Sequence, residues 1–257
     1  MSIKFIILGS GSSFGVPRAD GYSGVCNLNN KKNHRSRCSA LIQFNNENIL
    51  IDTSPDLRHQ LLENKIKSIN KVFYTHLHAD QTHGINDLRP FFLINKKQIP
   101  VYANKETAKY LYTTFKYCFE SSYDYPSTLK LINLNKKHLF KNKKKRISID
   151  SINVKHGKID SLCYIINKKL AYASDISLFY KKDIKKLMKL DYLIIDCLWY
   201  KNHSSHFNLN QVLDLVKTLK PKKTILTNMH SDLDYDELRQ ILPNNIVPGY
   251  DGMKVNL

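Results

Sequence analysis

Residues 74–84 read YTHLHADQTHG. His76, His78 and His83 offer imidazole nitrogens there and Asp80 a carboxylate, donors that suit Zn, Mn or Fe. In an extended turn after a strand, the H-x-H spacing places both rings on one side. Asp80, two residues further on, stays within reach of a second ion. Three later residues of the same types also close apolar strands: SINVKH ends at His156, LAYASD at Asp175, and ILTNMH at His230. KVFYT (71–75) runs into His76 in the same way. Strand ends on one edge of a sheet converge, so ligands far apart in sequence can meet there. His34, His59 and His138 stand alone and are read as surface residues.

The elements that must position these groups follow from pattern and punctuation. IKFIIL (3–8) reads as a first strand, and GSGSSFGVPR (9–18) as a loop crossing one end of a sheet. Its third glycine comes one position late for a dinucleotide fingerprint, and no helix follows. ALIQF (40–44) and ILIDT (49–53) form a hairpin around NNEN. Residues 54–66 read as a short helix, with Ser54 as N-cap, Pro55 in the first turn and a Leu57, Leu61, Leu62 stripe. DLRPFFLI (87–94) and IPVYA (99–103) continue the strands before a helix at 105–119. Residues 126–154 look β-rich, interrupted by the basic run KNKKKR (141–146), read as a solvated turn. Strands at 151–156, 161–167 and 169–175 lead to a helix near 178–189 and the buried strand YLIIDCLWY (192–200). An amphipathic helix at 208–219 carries Leu209, Val212, Leu213, Val216 and Leu219 on one face. A strand at 223–229, a helix at 234–242 and a C-terminal strand complete the chain. With a mostly antiparallel set of strands first and helix-joined strands after it, the class is α+β and layered. No linker interrupts 1–257, which is read as a single domain.

The 257 residues carry 40 Lys and Arg against 22 Asp and Glu, a formal charge of +18. That excess favours anionic partners and leaves nucleic acid open without favouring it, because it is mostly Lys spread along the whole chain. No apolar run is long enough for a membrane span, and the N-terminal one is too short for a secretory signal. Cys26, Cys38, Cys118, Cys163 and Cys197 are scattered, which argues against a disulfide framework and fits buried thiols in a reducing cytoplasm. A homodimer is compatible with all of this.

THLHADQTHG resembles the H-x-H-x-D-H signature of the metallo-β-lactamase superfamily. LGSGSSFGVPR, HADQTHGINDLRPF, HSSHFNLNQVL, TNMHSDLDYDEL and PGYDGMKV resemble one branch of it, the phosphodiesterase-like proteins that include RNase Z and, nearer, the PhnP-type phosphoribosyl cyclic phosphate phosphodiesterases. The resemblance implies a four-layer αββα sandwich with metals at one edge. It implies one ion on His76, His78 and His156, with Asp175 bridging to a second ion on Asp80, His230 and a histidine next to Asp80. This chain has Gln81 in that last place, and an amide oxygen is a weaker donor than imidazole. Gln81 coordinating weakly, His83 substituting, and a weak or empty second site all remain open. The branch's structural zinc needs several N-terminal cysteines, and Cys26 alone cannot build it.

The expected activity is therefore that of a hydrolase using Zn or Mn, one ion firmly bound, on a small and possibly cyclic sugar or nucleotide phosphate. A metal-bound water ionises with a pKa of about 7, and the hydroxide attacks phosphorus in line. Asp80 would orient it. The branch carries a general-acid histidine matched by His206 better than by His203, and a nearby helix N-terminus would disfavour its imidazolium. Arg35, Arg37 and Arg89 could meet phosphate oxygens. The alternatives are a tRNA 3′-processing endonuclease, RNase Z-like, and a catalytically weakened metal-binding homologue.

Overall fold

The computed structural model describes residues 3–142 and 145–257. The first sheet is built from β1 (Lys4–Gly9), β2 (Ser39–Phe44), β3 (Glu47–Ile51), β4 (Lys71–Phe73), β5 (Ile99–Ala103) and β6 (Leu129–Asn133). The second is built from β7 (Lys137–Asn142), β8 (Lys145–His156), β9 (Ile159–Ile166), β10 (Leu170–Ala173), β11 (Leu178–Phe179), β12 (Tyr192–Asp196), β13 (Lys223–Thr227) and β14 (Ile246–Pro248). β15 (Lys254–Asn256) returns to pair with β1. Residues 143 and 144, inside the basic run, lie outside the described residues.

Apolar side chains on both faces of each sheet dictate the layering. Phe5, Ile42 and Phe73 of the first sheet meet Tyr164, Tyr172 and Ile194 of the second in one buried layer. The outer face of the first sheet packs against α1 (Leu57–Glu63), α3 (Arg89–Asn95), α4 (Lys105–Thr114) and α5 (Lys116–Phe119), with the single turn α2 (Ala79–Thr82) between α1 and α3. The outer face of the second packs against α6 (Ile184–Leu187), α7 (Leu209–Leu219) and α8 (Tyr235–Ile241). The fold is thus an αββα sandwich. α7 shows why the pattern works: Asn208 and Gln211 close a capping box, while Leu209, Val212, Val216 and Leu219 are buried. Leu213 is only partly buried.

Several sequence expectations need correction. Residues 87–94 are helical rather than a strand, because Pro90 sits in the first turn of α3, where its missing N–H costs nothing. The helix expected at 54–66 starts at Leu57; Ser54 donates to Gln60 while its Oγ accepts the Asp56 N–H at 3.2 Å ahead of the first turn, and Leu62 is exposed. Residues 178–189 split into β11, a 3-10 turn and α6. The first sheet is mixed: β3, β4, β5 and β6 run parallel.

Strand direction gathers the site. β10, β12 and β13 are parallel, and β8 runs with β10 because β9 is antiparallel to both. Their C-terminal ends therefore share one edge. The loop after β1 crosses that edge and is pinned by Asp251. The Asp251 carboxyl accepts from the backbone N–H and hydroxyl of Ser10 (2.9 and 2.8 Å) and of Ser36 (2.7 and 2.5 Å). Asp251→Ala is expected to cost on the order of 3 kcal/mol in denaturant titration, since four donors lose their acceptor. A loss below about 1 kcal/mol would show that solvent replaces the carboxyl without penalty.

Candidate metal centre

His76 is fixed from behind. Asp52, at the end of β3 with φ of 61°, accepts the Thr75 N–H (2.7 Å) and the Thr75 hydroxyl (2.8 Å). That hydroxyl, its proton committed to Asp52, can only accept from His76 Nδ1 at 3.0 Å. His76 therefore carries its proton on Nδ1 and presents a lone pair on Nε2. His156, the last residue of β8, is set the same way, its Nδ1 donating to the Ser205 carbonyl at 2.9 Å. Both free Nε2 atoms face His78 Nδ1, at 3.0 and 3.2 Å. Tetrahedral zinc at about 2.05 Å spaces its nitrogen ligands about 3.3 Å apart, so the three rings fit a divalent ion. Burial pushes His76 down to about 3 and lowers His78 as well, which keeps these two rings neutral and ready to ligate.

Carboxylates lie beside these imidazoles, with Asp175 within 4.8 Å of His156 and His206. Asp80, in α2, is pushed up to about 6 by burial and by its neighbour Asp175. Burial opposes ionisation of Asp175 too, but His76, His156 and His206 together outweigh it and hold its carboxyl below the ordinary value. Gln81 Nε2 donates to Asp80 Oδ2 (3.0 Å) and to Asp175 Oδ2 (3.3 Å). Asn228, held at φ 59° after β13, reaches Asp175 Oδ1 (3.4 Å) and Asp196 Oδ1 (3.2 Å) through its own amide nitrogen. Asp196, fully buried at the end of β12, binds His206 Nδ1 at 2.6 Å. Burial opposes the His206 charge, but Asp196 prevails and raises that imidazole to about 9, while burial raises Asp196 to about 6. This reverses the expectation that a helix end would disfavour the His206 imidazolium: Asn208 caps α7, and the carboxylate dominates.

A cavity of about 390 Å³ joins these groups, lined by His78, Asp80, His156, Asp175, His206 and His230 together with Ser12, Phe14, Trp199 and Asn228. Among the described residues, two sets of ligand atoms lie within 4.8 Å of one another: His76, His78 and His156, and His156, Asp175 and His206. Asp80 and His230 fall outside both. The His230 ring lies against Trp199, and its Nδ1 faces the Asp232 N–H at 3.3 Å. His83 is exposed and bonds Tyr110 at 3.0 Å, so it does not substitute for the missing histidine. His203 is exposed beside His206. None of the three arginines meets the cavity. Arg35 is buried on Asn33 and the Leu233 and His230 carbonyls, Arg37 pairs with Asp56, and Arg89 lies over Tyr125. The five cysteines are free and buried, as expected.

The sequence model of the β-lactamase superfamily domain matches residues 47–229. The chain belongs to that superfamily. Within it, the chain is similar over its whole length to the crystal structure of a diphosphatase of the PhnP family, with 30% identity, a TM-score of 0.89 and 98% of that chain covered. This places it in the PhnP branch of the metallo-β-lactamase fold. Human tRNase Z, short form, shares the fold at 17% identity and a TM-score of 0.69, with 98% of each chain covered. An octanoyltransferase from Porphyromonas gingivalis is 31% identical over 98% of this chain, which spans 51% of that protein's length.

Asp196, Asn228, Asp52 and Thr75 were missed in the sequence. ILIDT offered a signal, a further strand running into a carboxylate, whereas Asp196 is hidden inside the apolar run YLIIDCLWY. Thr75→Val keeps the shape and removes the acceptor for His76 Nδ1. Competition with a chromogenic chelator is expected to show metal affinity about 10- to 100-fold weaker. Unchanged affinity would show that the Asp52–Thr75 support is dispensable.

Proposed function

We propose that the chain is a metal-dependent phosphodiester hydrolase acting on a small phosphate-containing substrate. The observation that carries this reading is the convergence of His76 and His156 Nε2 on His78 Nδ1 at the wall of a cavity that His206, backed by Asp196, also lines. Membership of the PhnP branch and similarity to a diphosphatase support it. His76, His78 and His156 would hold a divalent ion, which would supply Lewis acidity to offset phosphoryl charge and make a water ionisable near neutral pH. Asp80, at the wall of the same cavity, would accept a hydrogen bond from the attacking water and orient it toward phosphorus. His206, kept cationic by Asp196, hands its proton to the leaving oxygen opposite the attack. Ser12, buried with a hydroxyl that lacks a protein partner, lines the same cavity and can donate to a phosphoryl oxygen.

The cavity volume suits a nucleotide-sized or smaller ligand. No Lys or Arg is among its lining residues; the positive charge lies elsewhere, as around the groove of Lys136, Lys137, Lys168, Lys185 and Lys186. That separation favours a small substrate over a polynucleotide.

Zn- or Mn-replete protein is expected to hydrolyse bis-p-nitrophenyl phosphate or a cyclic ribose phosphate, to lose activity to chelator and to regain it with metal. Absence of turnover on both and on a diphosphate ester, with metal bound, would overturn the reading; preference for precursor tRNA with steep salt dependence would replace it by the endonuclease. His206→Ala is expected to lower kcat about 10²- to 10⁴-fold on an alkyl-leaving diester with bound metal unchanged, and far less on the p-nitrophenyl ester, whose leaving group needs no proton. Equal losses on both substrates would contradict the general-acid role.

A further inference from the structure

Asp175 is buried and Asp80 is half-buried at the cavity wall, both within reach of one amide nitrogen, and two such neighbouring carboxylates need a cation or a shared donor between them. The resemblance to the superfamily puts a second metal ion there. In this chain the Gln81 carboxamide fills the position. Gln81 is fully buried, and its Nε2 donates to both carboxylates while its Oε1 has no hydrogen-bond partner. Chemistry fixes this orientation, since the turned amide would press Oε1 against two anionic acceptors. Among the described residues, the two carboxylates are the hydrogen-bond partners of this side chain, and Oε1 has none in the protein. The backbone fixes it further, with the Gln81 carbonyl accepting from Thr53 N at 2.8 Å.

The remaining ligands of a second ion are not assembled either. His230 stacks toward Trp199 and stands outside both clusters of converging ligand atoms, whereas His76, His78 and His156 form a complete set without help. The other converging set, His156, Asp175 and His206, shares His156 with the first and has His206 Nδ1 committed to Asp196, so the donors favour one ion.

We propose that this is a one-ion centre in which the Gln81 amide takes the place of the second metal, bridging Asp80 and Asp175 by hydrogen bonds. The inference rests on reading the cavity as a metal-dependent hydrolytic site. It makes Asp80 a hydrogen-bonding group rather than a permanent ligand, and it assigns position 81 as the determinant of metal number.

The test is metal content per chain, by plasma mass spectrometry after Zn or Mn saturation and gel filtration, with calorimetric titration of the metal-free protein. The wild-type chain is expected to retain one ion and Gln81→His two, the second at least about tenfold tighter than any weak second event in wild type. Two ions of similar affinity in wild type would overturn the proposal, as would a folded Gln81→His chain that still holds one. Gln81→Glu provides an independent readout by melting. Isosteric but without the donor, it is expected to lower the melting temperature of the metal-free protein and to regain stability with excess metal. A metal-free Gln81→Glu chain as stable as wild type would contradict the bridging role. One bound ion with no hydrolysis of any phosphate ester would sink the functional reading alone, and two tight ions with full activity would sink this proposal alone.

Discussion

Asp175 and Asp196 are drawn out of water at strand ends with half-buried Asp80 beside them, and the site depends on how their charge is compensated. Dehydrated carboxylates repel one another strongly unless each finds donors. Here amides and carboxylates alternate: Gln81 links Asp80 to Asp175, Asn228 links Asp175 to Asp196, and Asp196 ends on His206. Facing them, three imidazoles point lone pairs at a common centre, an arrangement that gains from a cation on every side. The parallel run of β8, β10, β12 and β13 exists at this edge to bring those groups together. The Asp251 anchor holds the first loop over them.

The chemistry follows from this compensation. His76 and His156 donate their Nδ1 protons to the Thr75 hydroxyl and the Ser205 carbonyl, so their Nε2 atoms stay free. His206 keeps its proton because Asp196 sits behind it. One cavity thus brings a cluster of imidazoles suited to a divalent ion beside a proton-bearing His206, the pairing that the proposed hydrolysis uses. The basic surface stays outside the cavity and is not needed for that step.

Much of this was legible in the residues. The H-x-H pair and the strand ends at His156 and Asp175 announced a common edge, and the αββα layers followed from the order of apolar strands. What escaped notice had weaker signals. Asp196 sits where hydrophobicity continues past the strand, through Cys197, Leu198 and Trp199, so its strand end is invisible to a pattern. Asn228 works through a left-handed backbone position that no periodicity encodes. Phe91 and Phe92 suggested a strand, and the proline before them made a helix. Position 81 was recognised as unusual, but only the geometry shows an amide donating to two carboxylates while His83 turns away to Tyr110.

The most direct test is X-ray absorption at the zinc edge on the Zn-loaded protein. A centre held by His76, His78 and His156 predicts a first shell dominated by three imidazole nitrogens at about 2.0–2.1 Å, with no metal–metal vector near about 3.5 Å. A shell of oxygen or sulfur donors without imidazole scattering would contradict the assignment of the site itself.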